Sequence, residues 1–163
     1  MNVFEFAMKM EKDGQNFYEA EAAKTNNPAL KKIWQQLASD EVKHYEIFKR
    51  FRDGDVLEAK AMSELGTQIL STAKTVFEQL PKSDFHFGDD VVAAWTKAQK
   101  LETDTELFYR DKAKEEKLPE VKHAFGLLAD EEHKHVVLIE HVLEFLHQPK
   151  SWLDDAEWSN IAQ

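Results

Sequence analysis

Laid over itself at an offset of 91 residues, the chain pairs Glu11 with Glu102, Phe17 with Phe108, Tyr18 with Tyr109, Pro28 with Pro119 and Lys31 with Lys122. The pairing continues through Leu37 and Leu128, Ala38 and Ala129, Glu41 and Glu132, and His44 and His135, without a gap. Two copies of one unit must fold alike. Each copy consists of two stretches of helical periodicity separated by a proline-bearing turn, so the repeated unit is a helical hairpin.

The apolar stripe Phe4, Ala7, Met8, Phe17, Tyr18 predicts a first helix over about 2–25, closed by "KTNNP". Leu30, Ile33, Trp34, Leu37, His44, Ile47, Phe48 and Phe51 predict a second over about 28–52, closed by "RDGD". Met62, Leu65, Ile69, Ala73, Val76 and Leu80 mark a helical connector over about 55–80, followed by "KSDFHFGDD". The second hairpin occupies about 89–114 and 119–147 around "EEKLP". The fold class is all-α: a bundle over 1–148 and a short tail over 149–163 that carries Trp152 and Trp158. A connector of about 26 residues reaches roughly 39 Å as a helix, enough to return along a bundle so that the hairpins face each other about a pseudo-twofold axis.

Composition agrees with long helices. Charged residues are 32% of the chain, with only 5 Gly and 4 Pro. The net charge of −10 argues against nucleic acid or an anionic membrane surface as partners, and no run of apolar residues is long enough to span a bilayer. Without a secretory start, the expected location is the cytoplasm. The 163 residues contain no cysteine, which excludes disulfides, thiolate metal sites and a thiolate-held iron within them.

Glu-x-x-His occurs four times, at Glu41/His44, Glu120/His123, Glu132/His135 and Glu144/His147, so one copy means little. Only the first and third superpose in the repeat, and both lie in a mid-helix apolar stripe. The others, with His86, His133 and His141, read as loop or surface residues. Residues three apart share a helix face and can offer an oxygen and a nitrogen to one metal or to adjacent metals. The first turn centres near Asn26, which sets Glu11 level with Glu41; the second centres near Lys117 and sets Glu102 level with Glu132. Four Glu and two His then meet inside the bundle as the ligand set of a di-metal carboxylate site, because four inward carboxylates without cations would repel and resist desolvation. Oxygen and imidazole donors suit iron or manganese and also accept zinc. Tyr18 and Tyr109, two turns after Glu11 and Glu102, either donate hydrogen bonds to ligand carboxylates or are core tyrosines. Gly14 in mid-helix marks close packing or a local irregularity.

The set Glu11, Glu41-x-x-His44, Glu102, Glu132-x-x-His135, with "NFYEAEA" and "ELFYRDKA" after the isolated acids, resembles the rubrerythrin-like branch of the ferritin-like superfamily, in the form lacking a rubredoxin domain. The resemblance covers about residues 3–147. It implies a four-helix bundle with a long crossover and two iron ions, Glu41 and Glu132 bridging, Glu11 and Glu102 terminal, and His44 and His135 each completing one metal. Rubrerythrins proper carry a further acid one turn after the helix-3 Glu, where this chain has Thr105. The resemblance also implies reduction of hydrogen peroxide or dioxygen with electrons from an external donor such as a rubredoxin-like protein, and the long amphipathic helices with their crossover suit a homodimer, with or without exchanged hairpins. A ferroxidase or iron-handling role, and a partner-binding bundle with a structural metal and docking through Trp152 and Trp158, are the alternatives.

Overall fold

The computed structural model describes residues 2–55, 69–80 and 86–154. The first half of the expected crossover and Trp158 lie outside the described residues. Helix α1 spans Val3–Lys24, α2 Pro28–Arg52, α3 Ile69–Glu78, α4 Asp89–Glu115, α5 Pro119–His147 and α6 Pro149–Asp154, with no strand among the described residues. The all-α expectation holds, and the repeat is kept to the residue. Helices α1 and α4 end at Lys24 and Glu115, and α2 and α5 begin at Pro28 and Pro119.

Local chemistry sets these boundaries. The Asn2 side chain accepts from Glu5 N at 2.8 Å and opens α1. The Asn27 side chain accepts from Ala29 N at 2.9 Å and Leu30 N at 3.2 Å, and Pro28 occupies the first turn of α2, where a missing N–H costs nothing. The repeat mate of Asn27 is Leu118, which has no capping group, so α5 opens with proline alone.

Helices α1 and α2 pack as one hairpin and α4 and α5 as the other, while α3 lies against α2 and α5. The apolar core is in two parts. One contains Tyr18, Trp34, Leu37, Trp95, Leu138 and Phe145, together with the buried side of α3; the other contains Met8, Phe48, Tyr109, Phe125 and Leu128. On each long helix the residues of the two parts are separated by the buried polar ones: Glu11 on α1; Asp40, Glu41 and His44 on α2; Glu102 and Thr105 on α4; Glu132 and His135 on α5. A polar layer thus crosses the middle of the bundle between two apolar plugs.

The start of the tail belongs to the core. Trp152 is 9% exposed, its ring lies 4.5 Å from that of Phe77 and 5.8 Å from that of Phe145, and its indole N–H donates to Glu144 at 3.3 Å. This removes Trp152 as an exposed docking residue, because α6 folds it back against α3 and α5. No helix among the described residues is long and apolar enough to cross a membrane.

Candidate metal centre

All six residues expected as ligands meet in the polar layer, and none is more than 2% exposed. They form two overlapping groups, Glu11, Glu41, His44 and Glu132, and Glu41, Glu102, Glu132 and His135; within each, the donor atoms lie within 4.8 Å of one another. Glu41 and Glu132 belong to both groups, which is the position of a bridging ligand. Glu11 with His44, and Glu102 with His135, belong to one each. The Glu-x-x-His spacing puts each His one turn above its own Glu on the inward face, and the opposed hairpins supply the rest.

Both imidazoles turn Nδ1 toward the cluster. His44 Nδ1 lies 2.9 Å from Glu132 Oε1 and 3.5 Å from Glu11 Oε2. His135 Nδ1 lies 3.4 Å from Glu102 Oε1 and 3.5 Å from both Glu41 Oε1 and Glu132 Oε2. The outer nitrogen of His135 is 2.9 Å from Asp40 Oδ2, and Asp40 Oδ1 accepts from Gln36 Nε2 at 3.0 Å. Asp40 therefore orients the ring and favours a proton on Nε2, leaving Nδ1 for a cation. The sequence reading did not single out Asp40. Its available signal was an acid immediately before Glu41, repeated as Glu131 before Glu132.

The tyrosines hold the carboxylates of Glu102 and Glu11, and they do so crosswise. Tyr18 on α1 donates to Glu102 Oε1 on α4, and Tyr109 on α4 donates to Glu11 Oε1 on α1. Each phenol serves the other hairpin's acid, because a helical side chain leans toward its own N-terminus and both tyrosines lean onto the layer from opposite ends. Gly14 stands beside Glu41: a Cβ there would lie 3.2 Å from Glu41 Oε2, so glycine leaves room for the carboxylate. Its repeat mate is Thr105, buried, with its hydroxyl turned back to Leu101 O at 2.8 Å. His86, His123 and His133 are exposed, His147 is exposed and His141 is half-buried, as expected for residues outside the centre.

The electrostatics are those of a cation site. Burial and the neighbouring carboxylates, Glu11 first for Glu41 and Glu102 first for Glu132, push these two carboxyls well above the usual range. Burial also works against the charge on Glu11 and Glu102, but His44 and His135 respectively, with hydrogen bonds that include the phenols, hold them down, Glu102 at about 2. Burial opposes charge on the imidazoles too, and Glu11 and Glu102 overcome it, so both are raised. Burial and the carboxylates keep both phenols protonated and able to donate. Protons on Glu41, Glu132, His44 and His135 thus balance four carboxyl groups where two divalent cations would do the same.

One oxygen of each acid, Glu11 Oε2, Glu41 Oε1, Glu102 Oε2 and Glu132 Oε2, is buried without a hydrogen-bond partner. Orphaned buried carboxylate oxygens are rare in a folded protein, and four converging in one layer fit a site built for metal. On Glu11 and Glu102 the phenol holds Oε1 and leaves Oε2 for the cation, so the donor set fits a di-metal carboxylate centre.

Comparison with known proteins agrees with this geometry. No curated protein and no solved structure matches the chain. The family model described as Rubrerythrin matches residues 2–83, half of the chain, covering the first hairpin with Glu11, Glu41 and His44 and extending through α3. The second hairpin repeats the first at the three candidate ligand positions and the tyrosine, and the chain belongs to the rubrerythrin family.

Proposed function

We propose that the chain is a di-iron oxidoreductase that reduces hydrogen peroxide, or dioxygen, with electrons from an external donor. The observation that carries this reading is the set of four orphaned carboxylate oxygens between two inward Nδ1 atoms, held in a family of di-iron proteins. Two ferrous ions in that site would supply two electrons and Lewis acidity toward both oxygens of the oxidant. The protein's part is positional. Glu41 and Glu132 would be shared by the two metals, Glu11 with His44 and Glu102 with His135 would hold one each, and Asp40, Tyr18 and Tyr109 fix the orientation of their partners.

Burial favours a small substrate. With every ligand at most 2% exposed, a bulky organic substrate would need the bundle to open, which favours peroxide or dioxygen. Once metal has displaced the protons of Glu41 and Glu132, the phenol protons of Tyr18 and Tyr109 remain, hydrogen-bonded to Glu102 and Glu11, for a reduction that must consume protons. The electrons must come from elsewhere, because the 163 residues contain no cysteine to hold a second iron centre.

The test is metal per chain after anaerobic ferrous loading and desalting, followed by stopped-flow reaction with peroxide. Wild type should retain two irons and oxidise them faster than free ferrous ion, and Glu41→Ala with Glu132→Ala should retain none. Iron retention without accelerated reaction with peroxide, but with accelerated oxidation by dioxygen and release of ferric ion, would replace the reading with a ferroxidase. No retained iron in wild type would remove it.

A further inference from the structure

The repeat is broken at two aromatic positions beside the centre. Trp34 and Trp95 have as repeat mates Phe125 and Phe4. On the tryptophan side the rings form a continuous stack: Tyr18 and Trp34 have centroids 5.7 Å apart at 30°, and Trp34 and Trp95 lie 3.6 Å apart at 18°. On the phenylalanine side the rings are near-parallel but farther apart in one step and tilted in the other, Phe125 with Phe4 at 6.3 Å and 9°, and Tyr109 with Phe125 at 5.8 Å and 52°. Tyr18 touches the centre through its hydrogen bond to Glu102. Trp34 and Trp95, each no more than 1% exposed, form the inner wall of a cavity of about 340 Å³ at the α1–α2 turn, whose rim includes Lys24, Asn27, His86 and Asp90.

We propose that Tyr18, Trp34 and Trp95 form a one-electron path between the metal centre and this cavity, and that the other half of the repeat, with Phe125 and Phe4, does not conduct. Phenol and indole rings can lose and regain one electron within the range that protein redox centres reach, whereas a phenyl ring cannot. Packing alone would be served by phenylalanine at both positions, as the second half of the chain shows. The path gives the external donor of the proposed redox reaction a point of access to a centre that solvent does not reach, and its purpose rests on that reading.

The balance is simple. For each electron, a one-electron donor is oxidised at the cavity end and the oxidised metal pair is reduced. Tyr18 loses an electron toward the centre and takes one from Trp34, Trp34 takes one from Trp95, and Trp95 takes one from the donor, so each ring is restored. As Tyr18 is oxidised its phenol proton crosses to Glu102 Oε1, and it returns when Tyr18 is re-reduced.

The path can be tested in full-length, metal-free protein. The chain has no cysteine, so Lys24→Cys at the cavity rim accepts a single ruthenium–polypyridyl photo-oxidant. Flash excitation with a sacrificial cobalt(III) acceptor then withdraws one electron through the label. Freeze-trapped electron paramagnetic resonance should show a tyrosyl radical in this background. It should be lost in Trp34→Phe and in Trp95→Phe, and replaced by a tryptophan radical in Tyr18→Phe. The phenylalanine variants copy residues that the repeat already tolerates, and unchanged helical circular dichroism verifies their fold. The same label at Glu115→Cys, the repeat mate of Lys24, should yield no tyrosyl radical until Phe125→Trp and Phe4→Trp are introduced together. An undiminished tyrosyl signal in Trp34→Phe, or an equal signal from the label at position 115 without those tryptophans, overturns the path. A negative result here leaves metal retention intact, and failure of metal retention leaves the radical result intact, so the two readings fail separately.

Discussion

Asp40 and Gly14 act on the centre without donating to it. Asp40 holds the outer nitrogen of His135 at 2.9 Å, and removing the acceptor charge in Asp40→Asn weakens the orientation and basicity of that ring. Metal affinity should fall about 10–100-fold in a chelator competition, as is usual for the loss of a carboxylate behind a ligating histidine. Gly14→Ala should separate two properties. Alanine is favoured over glycine in a helix by about 1 kcal/mol, so the metal-free protein, in which the Glu41 carboxylate can move aside, should be stabilised by up to that amount. The loaded protein fixes that carboxylate, and a Cβ 3.2 Å from Oε2 then strains it, so metal retention should drop. Lower stability of the metal-free variant would show that Glu41 is held rigidly even without a cation.

Among the elements, the two hairpins share a register but are finished differently. Asn27 caps α2 through two backbone N–H groups, while Leu118 stands at the same position before α5, 58% exposed and without a cap. Leu118→Asn should stabilise the protein by about 1 kcal/mol, read as a higher urea midpoint at an unchanged slope, because it satisfies an open helix terminus and withdraws an exposed apolar side chain. The register itself was legible in the sequence: Pro28 and Pro119 open their helices where the turn signals placed them, and all four long helices fall within one or two residues of the expected boundaries. Trp152 was not legible in this way. A tryptophan after Pro149 reads as an exposed tail residue until α6 is seen to fold it onto Phe77 and Phe145.

At the scale of the molecule, the metal-free chain carries its charge balance in protons. Glu41, Glu132, His44 and His135 all have raised affinity in the folded state, so above pH 4.5, the ordinary value for the two acids, and further above 6.5, that for the imidazoles, the folded state binds more protons than the unfolded one. The stability slope with pH is then negative. The melting temperature of metal-free protein should fall as the pH rises from 6 to 9. Glu11 and Glu102, whose folded values are lowered, act in the opposite sense, but only in acid, where their contribution is lost. Metal must displace the protons on the four raised groups, so loading should release protons into weak buffer and its apparent affinity should rise with pH. A pH-stat titration that releases none would mean that the cluster is ionised before metal arrives.

The four long helices, their register and all six candidate ligands could be read from the residues alone, because a duplication at a constant offset leaves paired acids and imidazoles visible where a single Glu-x-x-His would not be. Helical periodicity is a local property, and a repeat copies local properties faithfully. The packing of the hairpins was needed to show that Tyr18 serves Glu102 and Tyr109 serves Glu11, that Asp40 reaches His135 on the opposite hairpin, and that Trp34 stacks on Trp95. Each of these contacts joins one hairpin to the other. Which residues meet across that interface depends on how two helix pairs are placed in space and on the direction in which side chains lean, neither of which any stretch of sequence carries alone.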